Sequence, residues 1–208
     1  MKKLVIIFGL CAISTFTQAT IRYVRPVGNG NGSSWANASN DLQLMIDNSA
    51  VGDEVWVAMG VYSSQYTADN YDATVKPPRP YTNGGRDNAF VVKPGVKIFG
   101  GFPATGNPSM NDRDWEAYPT ILTGRIANNI TGYHVVISAG NVGTACLDGF
   151  TITGGGDAGN NGNSAVSVNG EQIYENYGGG IVVQNSSPLL KNLIIQENWA
   201  YRSGAAIY

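Results

Sequence analysis

The chain is poor in the residues that most often carry chemistry. A single histidine, His134, stands among 208 residues, which excludes a multi-histidine metal centre and leaves a Ser-His-Asp arrangement only one candidate base. There are two cysteines, Cys11 and Cys146. Cys11 falls in the N-terminal apolar segment, so the remainder carries one thiol and no internal disulfide. Its neighbours Thr144, Ala145 and Leu147 mark Cys146 as a small buried side chain rather than a reactive one. Charge is sparse as well: 13 basic against 15 acidic side chains give a net charge of −2. With no basic patch, nucleic acid and anionic lipid are poor partners.

What is present is glycine, 27 residues of it, with many asparagines and short apolar runs. That is a turn-rich β composition, and the regular apolar punctuation excludes disorder. Met1-Lys2-Lys3 followed by the apolar Leu4 to Ile13 and by Thr17-Gln18-Ala19 reads as a signal peptide over residues 1–19, too short to span a bilayer. The mature chain would then be exported, to be secreted or held at the outer membrane or cell surface. Residues 20–62 read as an N-terminal cap and first strands, and residues 63–208 as β-coils with insertions.

Strands are expected at Ile21–Val24, Glu54–Ala58, Phe90–Val92, Val96–Phe99, Ile121–Leu122, His134–Ile137 and Leu147–Thr153. One short helix carries Leu42, Leu44, Met45 and Ile46 on its apolar side, with Ser39, Asn40 or Asp41 as its cap. Three polar insertions, Tyr62–Asn88, Pro103–Pro119 and Asp157–Tyr177, interrupt the strands and are natural places for recognition. The first is tyrosine-rich (Tyr62, Tyr66, Tyr71, Tyr81) with Pro77, Pro78 and Pro80. Its rings suit either contact with a sugar or protein, or packing onto the strands.

Near the C-terminus one segment is written twice. Gly178-Gly179-Gly180-Ile181 leads through Ile195-Gln196-Glu197-Asn198 to Ser203-Gly204-Ala205-Ala206-Ile207-Tyr208. Recurring apolar strands separated by small residues predict an all-β, right-handed parallel β-helix, a solenoid with a short N-terminal capping helix and long loop insertions. Gly178, Gly179 and Gly180 are expected at turns and Asn198 is expected to bond turn backbone groups, with Asn185 a second candidate. The stop at Tyr208, at an open strand edge, suggests that further coils or an anchoring domain follow in a longer protein, and that these residues alone would pair end to end or aggregate.

The block from Tyr23 to Tyr62 resembles the opening of bacterial secreted β-helix surface proteins. So do VKIFGGF (Val96 to Phe102), RDW (Arg113 to Trp115) and LDGFTITGG (Leu147 to Gly155). The GGGI, IQEN and GAAIY segments resemble the GGA[ILV] and FxxN repeats of polymorphic outer-membrane proteins, with Ile195 in place of Phe and Ala205 in place of Gly. The resemblance implies a right-handed parallel β-helix at the cell surface, often without known enzymatic activity.

Candidate chemistry is limited. Asp112, Asp114 and Glu116 alternate around Arg113, which suits either a Ca²⁺ site built from hard oxygen ligands or a solvated loop in which Arg113 pairs with one of the acids. Asp157 with Asn160, Asn161 and Asn163 is a second such pattern. His134 reads as a strand residue. Two functions follow. One is a surface or secreted adhesin-like scaffold whose insertions bind a glycan or a host or matrix protein, with no catalytic residue identified. The other is a carbohydrate-active lyase or hydrolase; Asp148 and Lys191 are nearly the only ionisable residues on the late strands, and Asp148 with Glu197 is the carboxylate pair that would have to converge.

Overall fold

The computed structural model describes residues 19–75, 85–126, 130–156 and 164–208. Residues 1–18, which include most of the expected signal peptide, lie outside them, as do Pro77, Pro78, Pro80 and Tyr81 of the first insertion and Asp157, Asn160, Asn161 and Asn163 of the third.

Parallel pairing dominates. Strand β1 (Ile21–Val24) pairs with β2 (Glu54–Ala58), β2 with β5 (Lys97–Phe102), and β5 with the first half of β8 (Cys146–Thr153). The second half of β8 pairs with β6 (Thr120–Thr123), which pairs with β3 (Gly60–Tyr62). Strand β12 (Leu189–Gln196) runs along all of β8. A second parallel sheet holds β4 (Phe90–Val91), β7 (Val136–Ala139) and β11 (Ile181–Gln184). The third insertion contains an antiparallel hairpin, β9 (Ala165–Val168) and β10 (Glu171–Tyr174). Asn169 and Gly170 form its turn, both at positive φ, as a two-residue hairpin loop requires.

The side-chain alternation of a strand sets the layers. On β2, Val55 and Val57 enter the main core with Ile98, Leu147 and Ile152, while Trp56 and Ala58 face the other way into a cluster with Trp35 and Phe102. Helix α1 (Leu42–Asn48) closes one side of the main core with Leu42, Met45 and Ile46. Of the three candidate caps, Asp41 is the one used: its Oδ1 accepts from Leu44 N at 2.9 Å. Buried Gln43 accepts from Val91 N at 2.8 Å and donates to Val91 O at 3.2 Å, replacing a neighbouring strand for β4.

The large sheet curls because left-handed residues stack at its bends. Gly149 (φ 84°) on β8 stands beside Asn192 (φ 50°) on β12, between the pairs Asp148↔Lys191 and Phe150↔Leu193. Just past the strand ends, Gly154 (φ 71°) stands beside Glu197 (φ 52°), and in the second sheet Gly140 (φ 71°) stands beside Asn185 (φ 47°) in the same way. Asparagine tolerates this conformation, whereas glutamate pays for it with backbone strain. Glu197→Gly is therefore expected to stabilise the fold by about 1 kcal/mol, read as a rise in the thermal midpoint.

This architecture corrects the expected fold class. The chain is not an all-β right-handed solenoid of recurring coils. Among the described residues it is a mixed fold: a curled, parallel half-barrel sheet, two smaller sheets and one α-helix. The physical reason lies in β8, whose two halves serve different partners, β5 and β6, on either side of the bend at Gly149. Insertions of unequal length separate the strands, so no unit of constant length recurs. The two copies of the glycine-rich segment lie side by side through the single parallel bridges Tyr177↔Ser203 and Ile181↔Ile207, which form no repeat array.

The glycines and the asparagine singled out near the C-terminus hold close backbone approaches. Gly178 is at φ 65°. A Cβ on Gly179 would lie 1.9 Å from Trp199 O, and one on Gly180 2.5 Å from Ala206 O. Asn198 donates to Ile152 O and accepts from Gly155 N, both at 2.9 Å. Asn198→Ala strands both backbone groups and is expected to cost about 2 kcal/mol. Urea unfolding with an unchanged midpoint would refute that role.

Candidate functional site

The second insertion builds an open polar groove on the surface. It leaves β5 at Phe102 and returns to β6 at Thr120, crossing the outer face of the large sheet. Two N-terminal residues hold its outgoing arm. Trp35 Nε1 donates to Pro108 O at 2.6 Å, and Arg25 donates to Gly106 O at 2.5 Å while its guanidinium stacks 4.9 Å from the Trp35 ring. The returning arm, Arg113 to Trp115, lies flat on glycines. A Cβ on Gly101 would sit 2.7 Å from Trp115 Cα, and one on Gly149 2.3 Å from Arg113 Nη2. Both glycines are also at positive φ, so they supply the bend and the floor together.

Arg113 is the clamp. It donates from Nε to Gly100 O and from Nη2 to Asp148 Oδ1, each at 2.6 Å, with its guanidinium 5.5 Å from the Phe99 ring centre. The paired side chains are only 13% and 6% exposed. Asn192, at the neighbouring bend, adds a third hold by donating to the same Asp148 oxygen at 2.8 Å. Arg113 thus pairs with a strand carboxylate and not with an acid of its own loop.

Between the two arms lies an open groove of about 570 Å³. Thr105, Asn107, Asn111, Asp112, Asp114 and Tyr118 line it, with Pro103, Pro108 and Arg113 completing the wall. Asp112 Oδ2 accepts from Ser109 N and Ser109 Oγ at 2.8 Å, and these bonds, the backbone one first, hold its carboxyl below the usual range. Asp114 Oδ1 accepts from the backbone N–H groups of Glu116 and Ala117 at 3.0 Å. Each carboxylate keeps one oxygen without a hydrogen bond among the described residues.

The structure brings Asp112 and Asp114 to this groove, while Glu116 does not line it. Among the described residues, no group of three or more His, Cys, Asp or Glu side chains is arranged to hold a metal ion. Asp148 and Glu197 stand on opposite sides of the Gly149 bend. Cys146 is a free thiol, 5% exposed, and burial, followed by the nearby Asp148 charge, pushes its pKa up, away from nucleophilic reactivity. In the first insertion, Tyr62, Tyr66 and Tyr71 are buried, so these rings serve packing. His134 is 3% exposed, with Nδ1 bonded to Gly178 O at 3.0 Å.

Sequence reading marked Arg113 and Asp148 separately but not their pairing, nor Asn192. The glycine in LDGF and the pair in IFGGF were the signal, since each marks a place where another segment touches the strand backbone.

No protein-family model matches the chain, and no curated protein or solved structure matches it. With no family match and no repeat array, the resemblance to polymorphic outer-membrane proteins does not stand: the shared GGxI and xxxN segments are short glycine and asparagine turns that a curled parallel sheet also requires.

Proposed function

We propose that this chain is an exported binding module that recognises a glycan in the groove of its second insertion. One observation carries the reading: an open, polar groove whose walls are pinned to the sheet by buried contacts. Carboxylate oxygens, amides and a threonine hydroxyl suit the dense, directional hydroxyls of a sugar, and Tyr118 and the two prolines offer flat apolar surface to its ring faces. Pinning lowers the ordering cost of binding. Export rests on the Lys-flanked apolar segment of residues 4–13 and its Ala19 cleavage site. Among the described residues, no helix is long and apolar enough to cross a membrane.

Calorimetric titration with a panel of oligosaccharides tests this. Binding is expected for the native chain and is expected to weaken at least tenfold in Asn111→Ala and Tyr118→Ala. Variants that bind as the native chain does, or a panel without any binder, would remove the groove from consideration.

A further inference from the structure

Resting on that reading, the geometry points to Asp148 as a specificity-determining residue that keeps anionic glycans out of the groove, which takes uncharged ones. Arg113 is the single cationic side chain in the groove wall, and an arginine there would ordinarily invite a uronate or sulfate through bidentate pairing. Its charge is already matched. Asp148, which lines no part of the groove, holds Nη2 at 2.6 Å in a pair only 13% and 6% exposed, and Nε is committed to Gly100 O. Asn192 fixes the same Asp148 oxygen from the next strand, so the carboxylate cannot swing away without losing two partners.

The rest of the wall adds no compensating positive charge. Asp112 and Asp114 are its two carboxylates, each with an oxygen free to accept from a hydroxyl, and both repel a carboxylate or sulfate. Lys97 and Lys191 belong to the rows of β5 and β12 that flank Asp148, and neither lines the groove. A sugar hydroxyl can still accept from Arg113 Nη1, which has no hydrogen bond among the described residues. Arg113 therefore acts as a neutral-ligand donor, because its partner sits behind it in the sheet.

Asp148→Asn tests the assignment: it removes the charge and keeps an oxygen that can accept from Arg113 and Asn192. Titrations would use cellohexaose and mannohexaose as neutral probes, and hexagalacturonate and a heparin hexasaccharide as anionic ones. The native chain is expected to bind a neutral probe at least tenfold more tightly than either anionic one. Asp148→Asn, shown to be folded by its melting curve, is expected to close that gap about tenfold. Equal native affinity for both classes, or a folded variant with an unchanged ratio, overturns the role of Asp148 and leaves the groove reading in place. Should the variant not fold, the native chain decides: added salt strengthens anionic binding if repulsion operates, and anionic binding that salt weakens or leaves unchanged overturns the assignment. Absence of binding to all four probes, with no binder in the wider panel, overturns the groove reading and this inference together.

Discussion

Arg113→Ala is expected to destabilise the protein by about 3 kcal/mol, because it leaves the Asp148 carboxylate buried and without its cation. For a chain of this size that corresponds to a fall of roughly 6–12 °C in the melting temperature. Asn192 still donates to Asp148, which keeps the loss at the low end for a broken buried pair. The cost belongs to the stranded charge rather than to the bond. Arg113→Met combined with Asp148→Leu should therefore recover most of the loss, since two apolar side chains require no counter-charge. The same single substitution frees the returning arm of the second insertion, so limited proteolysis should cut within residues 103–119 before the sheet unfolds. A double variant as unstable as Arg113→Ala would show that packing on Phe99, and not the charge, is what the arginine supplies.

Acidification is expected to remove about 3 kcal/mol of stability through His134. Its ring is buried, and Nδ1 must carry the proton that Gly178 O accepts, since a carbonyl cannot donate. Nε2 then presents a lone pair that finds no partner among the described residues. Burial pushes the pKa of the group down to about 4, with the Gly178 bond opposing it. An unfolded chain takes up this proton near pH 6.5. The contribution is therefore complete above about pH 6.5, declines as pH falls, and is exhausted once the folded imidazole protonates near pH 4. Urea unfolding from pH 7.5 to pH 4.5 would follow it, with His134→Gln as the comparison. A glutamine variant with the same pH slope as the native chain would assign the acid sensitivity to carboxylates instead.

Local elements were legible wherever a strand or helix carries its own pattern. Glu54–Ala58 alternates around Trp56 and forms the strand read from it, and Leu42, Met45 and Ile46 give the helix its buried side. Leu147–Thr153 extends by one residue to Cys146. The hairpin Ala165–Tyr174 was missed inside an insertion, although Asn169-Gly170 between two alternating runs is a strong hairpin signal. The arrangement of the strands was not legible, because it depends on which half of β8 meets β5 and which meets β6, and that choice is made by one left-handed residue, Gly149. A glycine in a strand signals a bend or a close approach without saying which segment arrives. The groove was hidden for the same reason: Arg113 and Asp148 are 35 residues apart, and only the folded sheet makes them neighbours.

The three-part clamp on Arg113 also sets an order of events. Asp148 follows Arg113 by 35 residues, and Asn192 follows Asp148 by a further 44. In a chain made from its N-terminus, the arms of the groove exist long before their anchors do. A nascent or clipped molecule lacking Leu189–Gln196 would hold its second insertion by fewer bonds and leave the groove walls less ordered. The groove walls are thereby fully anchored only once β12 has joined the sheet.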